Sequence, residues 1–201
     1  MIYDFLHLCN TYDKNIYGRG YFKDTPCPAC PAVGRFKMYG SYMRYAIYFK
    51  GKKLVRRQMD IKRIICASCK TTHAVMPGDI IPYKALTLFV FIYILALVFL
   101  DKVPVLKVAE EWDFSFQFIY SVIVTFRKHA NNIRQYVRET SPGDVPAVFD
   151  ECRVLGFVKG PCAEFQLGYI KINRRPCFMC RFLNRGGAPP VGLHAPMGAS
   201  T

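Results

Sequence analysis

Two Cys-x-x-Cys pairs, Cys27–Cys30 and Cys66–Cys69, constrain the fold of this 201-residue chain more than any other feature. Two intervening residues let both sulfurs of one turn reach the same ion, and a second such turn completes a tetrahedral shell of four thiolates. Thiolates in this number favour zinc. The spacing therefore predicts one structural zinc ion and a zinc ribbon, whose hairpin would occupy residues 31–65.

Metal binding is favoured over disulfide or redox chemistry for these pairs. The first ten residues lack the basic start of a signal peptide, so we expect no export, and an odd total of nine cysteines fits a disulfide framework poorly. A thioredoxin-like redox pair would need a βαβ context, which the pattern does not offer. Because four thiolates fill the zinc shell, we interpret the nearby His73 as a surface or core residue.

A second metal site in the C-terminal part is left open. Cys177 and Cys180 form a third Cys-x-x-Cys pair, and Cys152 and Cys162 could join them. Only one true pair is present, however, and buried cysteines often pack as small, inert apolar side chains. We therefore favour the inert interpretation.

Apolar and basic residues alternate from Phe36 to Phe49 and again from Leu54 to Ile65, on either side of the turn sequence Lys50–Lys53. This alternation predicts a β-hairpin between the cysteine pairs. Beyond Pro82 the pattern becomes helical. The predicted helices cover 83–100, Val105–Trp112 and Phe116–Arg138.

These patterns together predict an α+β protein. Its fold class would be an N-terminal four-cysteine zinc ribbon of β-hairpins, then a three-helix helix-turn-helix domain, then an irregular C-terminal extension with a flexible tail. The three predicted units are a ribbon over 20–80, a helical domain over 82–140 and the extension over 141–201.

The stretch 85–100 contains 16 residues without a charge. A membrane-spanning helix needs about 20 apolar residues, so this length favours a buried core helix. The alternative is a membrane-anchored zinc-ribbon protein with 85–100 inserted, which the basic N-terminal part would fit through the positive-inside rule.

The charge balance points to a polyanionic partner. The formal net charge is +14, and residues 1–84 alone carry 15 basic and 5 acidic side chains, a net of +10. We predict phosphate contacts from basic side chains of the hairpin: Arg44, Lys52, Lys53, Arg56, Arg57, Lys62 and Arg63. An ordinary solvated face would have the same composition. Tyr42, Tyr45 and Tyr48 could stack on bases, although alternating aromatic residues more often pack within a sheet.

Residues 105–127 have the pattern of a helix-turn-helix. The small residue Ala109 lets a second helix cross closely, and Ser115 is a suitable N-cap for that helix. As a recognition helix it would enter the major groove by its first residues. Its candidate DNA contacts are Gln117, Tyr120, Ser121 and Thr125, with Arg127 and Lys128 for phosphates. An ordinary helical hairpin uses the same spacing.

The order of motifs resembles an uncharacterised bacterial family that pairs a zinc ribbon with a transposase-like helix-turn-helix. The segments that carry the resemblance are Cys27–Cys30, Tyr39–Arg44, Ile61–Pro77 with Cys66, Cys69 and His73, and Ile81–Tyr83. The similarity covers about residues 20–140 and extends to the DNA-binding front ends of several insertion-sequence transposases. It implies zinc and DNA binding linked to mobile elements, and it implies no established reaction.

We predict no catalysis. A transposase of the retroviral-integrase type needs three carboxylates around two metal ions, and the last 60 or so residues are too few for that fold. The predicted function is a cytoplasmic, zinc-dependent DNA-binding protein that acts as regulator or accessory of a mobile element. Its predicted partners are double-stranded DNA and a transposase or other mobile-element protein, with no small-molecule substrate. An RNA or single-strand binding module is the alternative.

Overall fold

The computed structural model of the protein describes residues 1–4, 8–9, 12, 17–18, 20–140 and 169. Within this part the chain forms a sheet and then three helices. In chain order the elements are β1 (Ile2–Asp4), β2 (Phe36–Lys50), β3 (Lys53–Cys66), β4 (Thr72–Pro77), α1 (Leu88–Phe99), α2 (Val105–Glu111) and α3 (Phe116–Thr140).

The predicted hairpin is confirmed as the antiparallel pair β2–β3. Its register runs from Phe36 opposite Cys66 to Lys50 opposite Lys53, with an irregularity between Met38 and Gly40. The strands are joined by a two-residue turn in which Gly51 has φ of 61°, the left-handed conformation that tight hairpin turns require. Because the paired strands are long, the open end of the hairpin, next to the cysteines, lies far from the lysine-rich turn that closes its other end.

The predicted fold class is wrong in its arrangement of the strands. The sequence predicted self-contained hairpins at the N terminus, ahead of the helices, whereas the structure has a four-stranded mixed sheet in the middle of the chain. Its strand order is β1-β4-β3-β2, and β1 pairs parallel to β4 through Ile2 opposite Val75. A parallel pairing between strands so far apart in sequence leaves no local pattern, because it needs neither a turn signal nor a particular loop length.

The hairpin contributes to two buried clusters. Ile47 packs with the helices, in a cluster that contains Phe91, Val108, Ile119 and Phe126. A second cluster joins strand residues to the N-terminal segment and consists of Cys9, Tyr12, Ala46, Tyr48, Met59, Ile61, Met76 and Ile80. Because successive strand residues point to opposite faces, Ile47 and its neighbours Ala46 and Tyr48 belong to different clusters.

The three predicted helices are confirmed with altered ends. The predicted N-cap Ser115 accepts a hydrogen bond at Oγ from the backbone N–H of Phe118, 3.2 Å away. Thr87 caps α1 in the same way through Val90. Ala109 is 3% exposed and belongs to the helical cluster. Among the described residues, no helix has the length and apolar character needed to cross a membrane.

Several predictions lie outside the described residues. These are the C-terminal extension over 141–201, of which only Tyr169 is described, and the second metal site with Cys152, Cys162, Cys177 and Cys180. The division into units at 20–80 and 82–140 stays a prediction.

Phe91 and Phe89 in α1 offer a matched test of the helical cluster, because Phe91 is fully buried and Phe89 is 52% exposed. We expect Phe91→Ala to lower the free energy of unfolding by about 3–5 kcal/mol through the cavity it leaves. Phe89→Ala should cost about 1 kcal/mol, since it loses mainly the edge contact with Phe49. Equal losses in denaturant titrations of the two variants would contradict the packing described here.

Candidate metal centre and basic surface

The sulfurs of Cys27, Cys30, Cys66 and Cys69 lie within 4.8 Å of one another. Two of the separations, Cys27 to Cys69 and Cys30 to Cys66, are 3.8 Å. Four sulfurs placed tetrahedrally at about 2.3 Å from a zinc ion stand about 3.8 Å apart, so the spacing fits such an ion. The predicted ligands are therefore brought together in a geometry that can hold a metal.

The first cysteine pair is held in a loop by backbone hydrogen bonds. Cys27 N–H donates to the carbonyl of Ala32 at 2.8 Å, and Gly34 N–H donates to the carbonyl of Thr25 at 3.0 Å. Gly34 has φ of 67°, and a Cβ added to it would lie 2.1 Å from the carbonyl oxygen of Lys23. Only glycine fits at this position, for reasons of both conformation and space.

The second pair follows the end of β3 directly, since Cys66 is the last residue of that strand. Its turn is closed by Lys70 N–H, which donates to the Cys66 carbonyl at 3.0 Å, and Lys70 adopts a left-handed φ of 58°. A further bond, from Ala67 N–H to the carbonyl of Arg35 at 2.7 Å, joins the second turn to the chain that leaves the first. These bonds place the second turn beside the chain that leaves the first.

The local donors favour the thiolate form at two of the four cysteines, whereas the pKa of Cys30 is raised among the neighbouring cysteine side chains. A hydrogen bond from the Thr71 hydroxyl lowers the pKa of Cys69 to about 6. The backbone N–H of Cys69 lowers the pKa of Cys66. Deprotonated thiolates are the form that binds metal, so these contacts prepare the site. With four thiolate ligands the shell of a zinc ion is closed, which is typical of structural rather than catalytic sites.

His73 is a neighbour of the site that the sequence prediction left without a role. It is buried in β4, and its Nε2 lies 3.4 Å from Cys27 Sγ. The only sequence signal for this contact is that His73 comes four residues after Cys69, a spacing that by itself also suits a surface position.

The seven hairpin cations predicted to contact phosphates differ in exposure: four are exposed near the hairpin turn, and three are half-buried. Lys52, Lys53 and Arg57 are exposed near the turn. Arg56, also exposed, donates to the carboxylate of Asp113 at 3.2 Å and to backbone carbonyls of the α2–α3 turn.

The other three cations have structural partners. Arg44 donates to the carbonyls of Ile81 and Lys84 and so fastens the β4–α1 connection to the hairpin. Lys62 pairs with Asp60 at 2.7 Å. Arg63 donates to the Thr72 hydroxyl on β4.

Most of the predicted contact residues of α3 lie on its exposed side. Gln117, Tyr120 and Ser121 are exposed in its first turns, and Arg127 and Lys128 are exposed further along. Thr125 differs, because it is 5% exposed and accepts a hydrogen bond from Lys84 Nζ at 2.9 Å. Its burial keeps Thr125 off the exposed face of the helix.

A cleft of about 630 Å³ separates the hairpin turn from the α2–α3 turn. Its lining residues come from the hairpin, Lys52, Lys53, Leu54 and Arg56, and from the end of α2 and the following turn, Glu111, Trp112 and Asp113. Trp112 is the only tryptophan of the chain. The cleft could not be predicted from local sequence patterns, because it depends on a contact between Arg56 and Asp113 across 57 positions.

Comparison with known proteins gives one family match. Residues 27–102 match the family model described as Domain of unknown function (DUF6431). The DUF6431 match begins at the first metal-site cysteine and includes all four, together with β2, β3, β4 and α1. It ends before α2, so α2 and α3, which the sequence predicted to form a helix-turn-helix, lie outside it. No curated protein and no solved structure matches the chain.

Replacement of one cysteine tests the metal site. We expect the wild-type protein to bind one Zn²⁺ per chain and Cys66→Ser to bind none tightly, with a lower melting temperature, because metal-binding free energy is folding free energy in such sites. Metal analysis after gel filtration measures the first result, and circular dichroism measures the second. Cys9→Ser is the matched control: Cys9 is buried outside the cluster, so its variant should keep its zinc. Full zinc content in Cys66→Ser would refute the assignment.

Proposed function

We propose that the chain is a zinc-stabilised, non-catalytic protein that binds double-stranded DNA. The lysine-rich hairpin turn would contact phosphates, and the first turns of α3 would contact base edges. Zinc would hold the far end of the hairpin closed. The resemblance to transposase-like proteins suggests the setting, a regulator or accessory of a mobile element that works beside a transposase.

The contact of Arg56 with the α2–α3 turn is the observation that carries this proposal. Arg56 bonds the carbonyls of Trp112 and Asp113, and its guanidinium lies over the Phe114 ring at 5.4 Å from the centroid. Asp113 itself has a left-handed φ of 51°. These bonds fix the hairpin turn beside the start of α3, so one duplex could meet both elements.

The chemistry of the two elements is complementary in this arrangement. Lys52, Lys53 and Arg57 supply charge that suits the phosphate backbone, which contributes most of the affinity but no sequence information. Gln117 and Ser121 supply uncharged hydrogen-bonding groups at the helix start, the region that enters the major groove in this motif. The net charge of +10 over residues 1–84 would draw the protein towards a polyanion.

A salt titration tests the phosphate contacts. We expect duplex binding to weaken linearly on a logarithmic plot as salt rises, and the double variant Lys52→Ala/Lys53→Ala to reduce the slope by about 2. Because Trp112 lines the cleft and is the only tryptophan, its fluorescence should change when duplex is added.

Lys37→Ala is the matched control, since Lys37 is an exposed lysine at the other end of β2, about 40 Å along the strand from the turn. It should reduce the slope by less than half of the change seen in the double variant. Absence of duplex binding at low salt would refute the proposal. A reduction of half or more in Lys37→Ala would refute the role of the turn while leaving non-specific binding.

Binding of RNA or single-stranded nucleic acid is the second candidate, and a specific observation favours it. Tyr45 and Tyr39 of β2 are 64% and 57% exposed, and Tyr42, which points to the opposite face of the strand from Tyr45, is 38% exposed. Exposed aromatic rings next to basic side chains are the usual platform for unpaired bases. Tyr48, also predicted to stack on bases, is 6% exposed and packs in the strand cluster instead.

Tyr45→Ala separates the two candidates. Loss of a stacking contact should weaken single-strand binding by about 1–3 kcal/mol and leave duplex binding unchanged. Competition of unlabelled single strand and RNA against labelled duplex provides the measurement. If single strand competes better than duplex and Tyr45→Ala removes that advantage, the second candidate replaces the first.

A further inference from the structure

His73 is held in one orientation beside the metal site. It belongs to β4, faces Ile64 of β3 in the register, and is 4% exposed. The Phe36 ring meets the imidazole edge to face, with centroids 6.0 Å apart and planes at 87°. Aromatic contacts on a buried ring leave little rotational freedom, so the direction of its two nitrogens is set by packing.

The two nitrogens of His73 have different neighbours. Nδ1 lies 3.3 Å from the amino nitrogen of Met1, and the ammonium form of that group donates to Nδ1. The proton of the neutral ring then belongs to Nε2, which lies 3.4 Å from Cys27 Sγ. The contact is thus an N–H donor aimed at a ligand sulfur.

His73 does not complete the shell as a ligand. The cluster of potential metal ligands among the described residues holds the four cysteines, all mutually within 4.8 Å, and His73 is not part of it. Four thiolates also saturate a tetrahedral ion. They leave an excess of negative charge that a protein interior must stabilise with hydrogen-bond donors.

Cys27 is the more buried ligand of the first pair, although Cys66 of the second pair is fully buried. Cys27 is 8% exposed, and Ala29 N–H is its other donor in the structure, at 3.4 Å. Cys30 and Cys69 are less buried. A hydrogen bond from His73 would therefore add a second donor, beside the backbone N–H of Ala29, to the Cys27 thiolate.

We infer that His73 is a positioning residue of the metal site, donating from Nε2 to the Cys27 thiolate and linking the first cysteine loop to the sheet. The inference rests on the proposed zinc site. Outer hydrogen bonds of this kind orient ligands and change metal affinity. The first loop lies outside the sheet, and β4 lies between β1 and β3 within it, so the bond ties the loop to a central strand.

Two substitutions separate donation from packing. His73→Phe keeps a ring against Phe36 but removes the donor, whereas His73→Gln can place an amide N–H near the position of Nε2. We expect His73→Phe to lose about 10–100-fold in zinc affinity, measured by competition with a chelator, and His73→Gln to retain most of it. In Co²⁺-loaded protein, the thiolate charge-transfer band should shift in His73→Phe and return towards wild type in His73→Gln.

Wild-type zinc affinity and an unchanged Co²⁺ spectrum in His73→Phe would overturn the role of His73, even if its melting temperature fell. A wild-type protein that binds no zinc would overturn the metal site and this inference with it. Nitrogen-15 NMR of the zinc-loaded wild type needs no variant to fold. It should find the His73 proton on Nε2, and a proton on Nδ1 would overturn the inference.

Discussion

The antiparallel pairing of β2 with β3 is the contact on which the other parts of the molecule depend. Its register puts Phe36 opposite Cys66, and this closes the distance between the two cysteine pairs. At the other end it puts Lys50 opposite Lys53, beside the α2–α3 turn. A slip of one residue would reverse the faces of the strands and separate both sites from their partners.

The hairpin also joins the sheet to the helices through its apolar side chains. Phe49, Tyr93 and Trp112 form a mutual edge-to-face group, with centroids 5.2–5.8 Å apart, that brings together β2, α1 and the end of α2. Arg56 adds polar bonds next to this group. An exposed ion pair alone contributes little, so the position of the turn depends on the bonds from Arg56 to backbone carbonyls together with the aromatic contacts.

Local features of the chain could be predicted from the sequence, and long-range ones could not. The four ligands, the hairpin and the N-cap Ser115 each depend on spacing or periodicity within a short stretch. The pairing of β1 with β4, the bond from Arg56 to Asp113 and the contact from His73 to Cys27 depend on where distant segments meet. Thr125 is a further example, because its polar side chain predicted an exposed position. It is buried instead and accepts a hydrogen bond from Lys84, 41 positions earlier in the chain.

Gly34 sets a condition on how sequences with this loop can diverge. Its missing side chain makes room for the carbonyl of Lys23, and its left-handed φ suits no branched residue. A homologous chain with a larger residue there must carry the segment before Cys27 along another path. In such a chain the cysteine spacing alone would be a poor guide to alignment, because the same four ligands would be reached by a loop of different shape.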